Sequence, residues 1–318
     1  MPVTLEAAKQ NTTDDLDLAI INEFQISSLL DRLTFDDAVN PAGGGATLTY
    51  TYRRETSLAE AHFRAINTEY TPAQLEPTTR HQVDLTPLGG TFQIDRVLAN
   101  IGPVATNELT RNMSALIAAT RGKFADTFIN GDKSAEANAF DGLSKILTGM
   151  STESTAPDGV DLTGPMDQKK AYGLIDLLDE LVDRVEGNGP RVIIANKNFI
   201  NKARSALRYV NQFTTKVGPL HQERMYYGDI ELVDAGRAAG DNHQIIKNET
   251  AKGTDVYVVR FGLDGVHGVS MAGAPLIRHW LPDFTNVNAV QTGGVELGPV
   301  AIAVKATKSA AVMRGVKI

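Results

Sequence analysis

The sequence predicts an α+β protein, and three of its stretches carry that prediction. From Thr106 to Gly131, TNELTRNMSALIAATRGKFADTFING, apolar side chains fall at Leu109, Met113, Leu116, Ile117, Phe124 and Phe128. They are spaced by threes and fours with one gap, which stacks them on one face of an α-helix. In ATLTYTYRRE, Leu48, Tyr50 and Tyr52 alternate with Thr47, Thr49 and Thr51, the period-two pattern of a strand. Beyond residue 168, helical and strand-like runs follow one another, as in a mixed second lobe.

Bulk properties set the frame. With 318 residues the chain can bury one large core or two ordinary ones, and two lobes are expected. Hydrophobic residues make up 42% and charged residues 22%, a globular composition. Zero cysteines exclude disulfides, thiolate nucleophiles and cysteine-based zinc sites. A formal net charge of -7 argues against a dedicated nucleic-acid binder, which needs a basic face for phosphates. No apolar run is long enough to span a bilayer, and MPVTLEAAKQNTTDDLDL is acidic and polar where a signal peptide would be basic and then apolar. Residence in the cytosol is the resulting expectation.

Taken in order, residues 1–15 are polar and expected to be mobile. A helical period runs from Leu16 to Leu33 through Ile20, Ile21, Phe24, Leu29 and Leu30. It reads either as an arm that docks elsewhere or as a helix on its own domain. After the Pro41 to Gly45 break comes the Leu48–Tyr52 strand, and a second alternating run follows at Thr79, His81, Val83 and Leu85. The excursion between them carries Arg53, Arg54, Glu55, Glu60, Arg64, Glu69 and Glu76 with few large apolar residues, so it builds no core of its own. Two strands with such a tip form a protruding hairpin, marginal in water alone. A covering partner is therefore expected, the alternative being a solvated surface loop. A loop beyond about 15 residues is usually functional.

Gly89-Gly90 turns the chain into a strand with Phe92 and Ile94 on one face, and the long helix follows. Thr106 is its expected N-cap, with Glu108 favouring the dipole, and Asn130-Gly131 its left-handed stop. Gly122, costing about 1 kcal/mol against Ala in a helix interior, marks a bend or a close contact. Phe124 and Phe128 are expected to clamp the helix to neighbouring strands. Residues 149–166 are Gly, Pro and Ser-rich, a boundary. Then come a helix over Lys169–Glu186, a strand over Arg191–Ala195, a helix over Asn198–Tyr209, and strands over Ile230–Val233 and Asp255–Phe261. Gly262 to Gly273 reads as turns, and Val287–Val290 and Val300–Val304 as strands.

Catalytic signatures are weak throughout. Gly122-Lys123-Phe124 and Gly131-Asp132-Lys133-Ser134 lack the upstream glycine of a phosphate-binding loop. Gly187-Asn188-Gly189-Pro190 follows a helix where a dinucleotide fingerprint would open one. Ser270 in Gly268-Val269-Ser270-Met271-Ala272 is one residue from a nucleophile elbow, but the Ala departs from the motif. His62, His81, His221, His243, His267 and His279 are scattered without metal spacing and read as surface or hydrogen-bonded structural residues. No cofactor, metal or catalytic residue is expected.

The element order and three strings, Phe63-Arg64-Ala65-Ile66-Asn67-Thr68-Glu69-Tyr70, Phe128 to Asp132 and Phe140 to Leu143, resemble the major capsid proteins of tailed double-stranded DNA bacteriophages, the Hong Kong 97 fold. The resemblance implies an N-terminal arm over 1–45 and an extended β-hairpin loop over 46–91. It implies a peripheral domain over 92–150 and about 270–300 with a spine helix at 106–130, and an axial domain over 151–269 and about 301–318. The implied function is a structural subunit, not an enzyme, that self-assembles as pentamers and hexamers into an icosahedral shell. That shell encloses DNA without sequence-specific binding, in a virion assembled in the host cytoplasm, with no membrane. The implied partners are other copies, a separate scaffolding protein unless assembly is unassisted, and portal and decoration proteins.

Inter-subunit contacts are expected at Arg53, Arg54, Glu55, Leu58, Glu60, Phe63, Arg64, Ile66, Glu69 and Tyr70, the charges pairing in trans and the apolar residues carrying most of the contact. Packing of the spine helix is expected through Leu109, Met113, Leu116, Phe124 and Phe128. Some relatives join subunits by attack of an extended-loop lysine on a neighbour's asparagine. Here there is no lysine between Lys9 and Lys123, and arginine cannot serve because it stays protonated. A shell without that crosslink is expected. An encapsulin-like nanocompartment shell and a cytosolic α/β enzyme are the alternative readings.

Overall fold

The computed structural model describes residues 29–40, 43–54, 61–70, 78–96, 103–157, 161–211, 214–217, 223–240, 243–249, 252–285 and 289–318. Most of the predicted Leu16–Leu33 helix, together with Glu55, Leu58 and Glu60, lies outside them.

Two sheets and a separate ribbon make up the strand structure. The first sheet is built on β14 (Val290–Val304), one of whose edges takes β4 (Thr86–Asp95). The other edge takes β13 (Ile277–Trp280) and then β12 (Val266–Met271), and β12 in turn carries β1 (Phe35–Ala38) in parallel. The register of β14 on β4 shifts between Leu297 and Val300. Gly298-Pro299 sits in that shift, the kind of position where a strand tolerates proline. The second sheet has the order β5 (Glu153–Thr155), β15 (Ala310–Val316), β11 (Gly253–Arg260), β6 (Arg191–Ala195), β9 (Ile230–Asp234), β8 (Glu223–Tyr227) and β7 (Thr214–Val217), with β10 (Asn248–Glu249) also on β11. The ribbon is β2 (Thr49–Arg54) on β3 (Thr79–Asp84), antiparallel from Thr49 opposite Asp84 to Arg54 opposite Thr79.

The central strands of the second sheet, β15, β11, β6 and β9, are buried on both faces, which explains their continuous apolar runs. Val192, Ile194, Tyr257 and Val259 face a core shared with β12 and β14. Ile193, Ala195, Val256 and Val258 face two helices, α3 (Gln168–Asp183) and α4 (Lys197–Tyr209). Side-chain caps start both helices: Asp167 accepts from the Lys170 amide and Asn196 from the Phe199 amide.

The long helix α1 spans Pro103–Asn130. It therefore begins ahead of the expected Thr106 cap, on a proline suited to the first helical position. Its packing falls in two places along the helix. Met113 and Ile117, with half-buried Leu116, meet Val295 and Phe92 on the first sheet, and Leu109 is half-buried. Phe124 and Phe128 lie one turn and more beyond, where the two sheets meet: Phe124 packs on Phe140 (centroids 5.9 Å apart) and Phe128 on Phe261 (6.4 Å). Met113 and Ile117 fix the helix to the first sheet, and the phenylalanines pack in the core that strands of both sheets share. Gly122 is a close contact, since a Cβ there would stand 3.0 Å from the Ala239 amide nitrogen.

Gly131 ends the helix without a left-handed conformation. Its amide bonds back to the Thr127 carbonyl while its own carbonyl accepts the Gly142 amide at 2.8 Å. A Cβ at Gly131 would lie 2.3 Å from the Phe140 carbonyl oxygen, and one at Gly142 would lie 2.5 Å from that of Thr127. The two glycines lock the strings Phe128–Asp132 and Phe140–Leu143 against each other, ahead of α2 (Leu143–Leu147). A second difference concerns Gly262 to Gly273, where the predicted turns contain the buried strand β12. Gly268 leaves space for Phe35, whose ring would lie 2.5 Å from an added Cβ.

Candidate inter-subunit surface

Residues 49–54 and 79–84 form a ribbon docked on the body, and residues 61–70 form a tip that is exposed at every position. Docking rests on specific polar ties. The Arg54 guanidinium donates to the carbonyl oxygens of Val304 (2.6 Å) and Lys305 (3.1 Å). The Tyr50 hydroxyl donates to Asp36 Oδ2 at 2.7 Å, and the Lys305 ammonium lies 3.5 Å from that oxygen and over the Tyr50 ring. At the other end Lys133, in the loop after α1, pairs with Asp84 at 2.6 Å. Burial draws the Asp36 carboxyl upward, but the Tyr50 hydrogen bond and Lys305 outweigh it and hold it below the usual carboxylate value.

Beneath Tyr50 lies His267, fully buried and meeting the tyrosine edge-on at 5.8 Å between centroids. Neither ring nitrogen has a hydrogen-bond partner among the described residues. It stands apart from the surface or hydrogen-bonded state expected of most of the six histidines. Burial first, and the Lys305 charge second, depress its pKa. No local pattern announces this cluster, because Asp36, Tyr50, His267 and Lys305 come together only through β1, β2, β12 and the end of β14.

The tip is organised by its own residues. Arg64 donates to the carbonyls of Ala65 (3.3 Å) and Thr68 (2.9 Å), and its guanidinium lies over the Tyr70 ring at 5.3 Å. The Thr68 hydroxyl bonds to the Ala65 carbonyl at 2.7 Å, and Asn67 takes a left-handed φ of 67° at the turn. Phe63 is left fully exposed, Ile66 is 90% exposed and Tyr70 64%. Of the charges expected to pair in trans, Arg54 is bonded to its own body and Arg64 to its own tip, while Arg53 and Glu69 remain exposed. Arg53 stands directly opposite Arg80 in the ribbon, a like-charge pair that weakens an isolated ribbon.

Other chemistry is thin. Ser270 is buried in the middle of β12, paired through the backbone on both sides, so it does not form a nucleophile elbow. A polar cavity of about 430 Å³ is lined by Asp126, Asn130, His243, Glu249 and Asp255, and no three metal-binding side chains converge among the described residues. No described helix is long and apolar enough to cross a membrane.

No family model matches the sequence, and no curated protein matches it. Solved structures do. The holo-SrpI encapsulin complex from Synechococcus elongatus PCC 7942 aligns at a TM-score of 0.59 and 16% identity, over 92% of this chain and 89% of that one. The capsid of Myoviridae Phage XM1 aligns at 0.56 and 11%, over 88% and 89%. The capsid of the native GTA particle aligns at 0.55 and 11%, over 91% and 89%. Matching of this breadth establishes that the chain has the Hong Kong 97-type capsid fold.

Proposed function

We propose that this chain is the major capsid subunit of a tailed double-stranded DNA bacteriophage, self-assembling into a closed icosahedral shell around the genome. The observation that carries the reading is the hairpin tip, where Phe63 and Ile66 are left exposed by the described residues. Large exposed apolar side chains on a formed turn belong to a contact surface. Within the subunit we assign residues 1–45 to the arm, 46–91 to the extended loop, and 92–150 with about 270–300, including α1, to the peripheral domain. Residues 151–269 and about 301–318, which hold the second sheet with α3 and α4, are assigned to the axial domain. Each contact can be modest, because a subunit engaged by several neighbours at once gains from avidity. The chain acts as a structural protein without a catalytic step, and its shell forms without lysine–asparagine crosslinks, the extended loop having no lysine.

Negative-stain microscopy of the expressed protein tests the reading. Closed shells are expected, carrying nuclease-protected DNA when isolated from infected cells. Small monodisperse species at every salt concentration would overturn it in favour of an ordinary enzyme. Boiled particles should run as a single monomer band in denaturing electrophoresis. The match to an encapsulin, at a TM-score above those of the two particle capsids, favours a second reading as a nanocompartment shell. Particles holding a protein cargo and no nucleic acid would select it.

A further inference from the structure

We infer that Asn188-Gly189 is a site of spontaneous modification, where the asparagine side chain becomes a carboxylate in the folded protein, while the same dipeptide at Asn130-Gly131 is held inert. Its chemistry goes beyond the shell reading and does not depend on it. Water is the only co-reactant. The Gly189 main-chain nitrogen gives up its proton to solvent and attacks Asn188 Cγ. A ring C–N bond forms, the bond from Cγ to Nδ2 breaks, and Nδ2 takes up a proton and leaves as ammonia. Water then opens the cyclic imide at either carbonyl. One opening gives aspartate, and the other gives isoaspartate, with the main chain rerouted through the side chain. Glycine after asparagine favours the attack, because no Cβ shields the nitrogen. The chain holds two such pairs.

The surroundings of the two pairs differ. Asn188 and Gly189 are exposed in the loop between α3 and β6. Among the described residues, neither the Asn188 side chain nor the Gly189 amide takes part in a hydrogen bond. Arg260, itself buried, donates through Nη1 to the Asn188 carbonyl oxygen at 3.4 Å. That carbonyl and the attacking nitrogen belong to one peptide group, and when the nitrogen loses its proton the charge spreads onto the oxygen. A charged donor on the oxygen therefore eases the loss. Asp264 competes for the same Nη1, at 2.6 Å. Asn130, at the end of α1, is tied through its side chain, whose Nδ2 donates to Asp126 Oδ1 and to the Ile245 carbonyl, both at 2.8 Å. The buried Gly131 donates its amide to the Thr127 carbonyl at 2.9 Å. Electrophile and nucleophile are each held there, so reaction requires the helix end to open first. Conversion at Asn188 adds a negative charge to a chain of net charge -7.

The test uses the full chain without substitution, incubated at mildly alkaline pH either folded or in urea. Tryptic mass spectrometry over time follows the two pairs separately, in the peptides Val185–Arg191 and Phe124–Lys133. In the folded protein the Asn188 peptide is expected to yield aspartyl and isoaspartyl forms about ten-fold or more faster than the Asn130 peptide. In urea the two rates are expected to converge. Equal rates in the folded protein would overturn the inference. So would a difference that persists in urea, because it would then come from neighbours in sequence and not from the fold. As a second measurement, Asp264→Ala, at an exposed position, leaves Nη1 to the Asn188 carbonyl and should raise the Asn188 rate. A rate no higher than that of the unsubstituted chain would overturn the part given to Arg260.

Discussion

The docked ribbon and the tip belong to one hairpin and are stabilised in opposite ways. The ribbon is fixed to its own subunit by ties that reach far along the chain, from Arg54 to Val304 and Lys305, from Lys133 to Asp84, and from Tyr50 to Asp36. The tip is shaped by bonds among Arg64, Ala65, Thr68 and Tyr70 and leaves Phe63 and Ile66 exposed. Charged residues in a hairpin can thus do two jobs. Those beside the body set the angle at which the hairpin leaves it, and those in the tip shape what the hairpin presents.

Substitutions can break this comparison, and their effects on the free subunit should descend in a definite order. Where the two sheets meet, Phe124→Ala removes a fully buried ring and should cost about 3–5 kcal/mol in denaturant unfolding. Arg54→Ala strips a charged donor from two carbonyls and should cost about 1.5–3 kcal/mol, with faster hydrogen exchange confined to β2 and β3. A cost spread evenly over both sheets would contradict a local tie.

A pH effect should come next. His267 has its folded pKa depressed, so the unfolded chain binds the proton more readily. Its contribution is complete above the unfolded value of about 6.5 and declines as pH falls through and below it. His267→Phe should remove that part of the stability profile, and an unaltered slope between neutral and mildly acidic pH would rule the assignment out. Lys133→Ala breaks an exposed pair and should cost only about 0–1 kcal/mol, less in high salt. At the end of the series, Phe63→Ala with Ile66→Ala should leave stability within about 0.5 kcal/mol yet cut particle yield about ten-fold or more. Sedimentation after assembly measures it. Equal losses of stability from tip and ribbon variants would erase the distinction.

Much of this architecture was legible in the sequence because its signals are local. The spacing of Met113, Ile117, Phe124 and Phe128 defines a helix face, and the alternation through Tyr50 and Tyr52 defines a strand, whatever each later packs against. The exposed tip was also legible, since a segment with few large apolar residues cannot cover itself. Lysine is absent from the loop by inspection. What those signals lack is the identity of the partner. Arg54 and Arg64 looked alike as hairpin cations, and only the fold separates them, because the acceptors of Arg54 lie some 250 residues away while those of Arg64 lie within four.

The same division runs through the rest of the chain. Sequence by itself determined the mixed α+β class, the long helix, the hairpin, and the lack of cysteine in the chain and of lysine in the extended loop, all properties of composition or of neighbours within two turns. Tertiary structure alone decided that the Gly262–Gly273 stretch contains a central strand, where Gly268 makes room for Phe35, and that Gly131 is needed for a 2.3 Å approach to the Phe140 carbonyl and not for its φ. It also decided that a histidine with no local motif lies sealed beneath Tyr50. The physical reason is common to all three: steric exclusion and burial depend on atoms brought together by folding, and a local pattern holds no record of which distant segment will supply them.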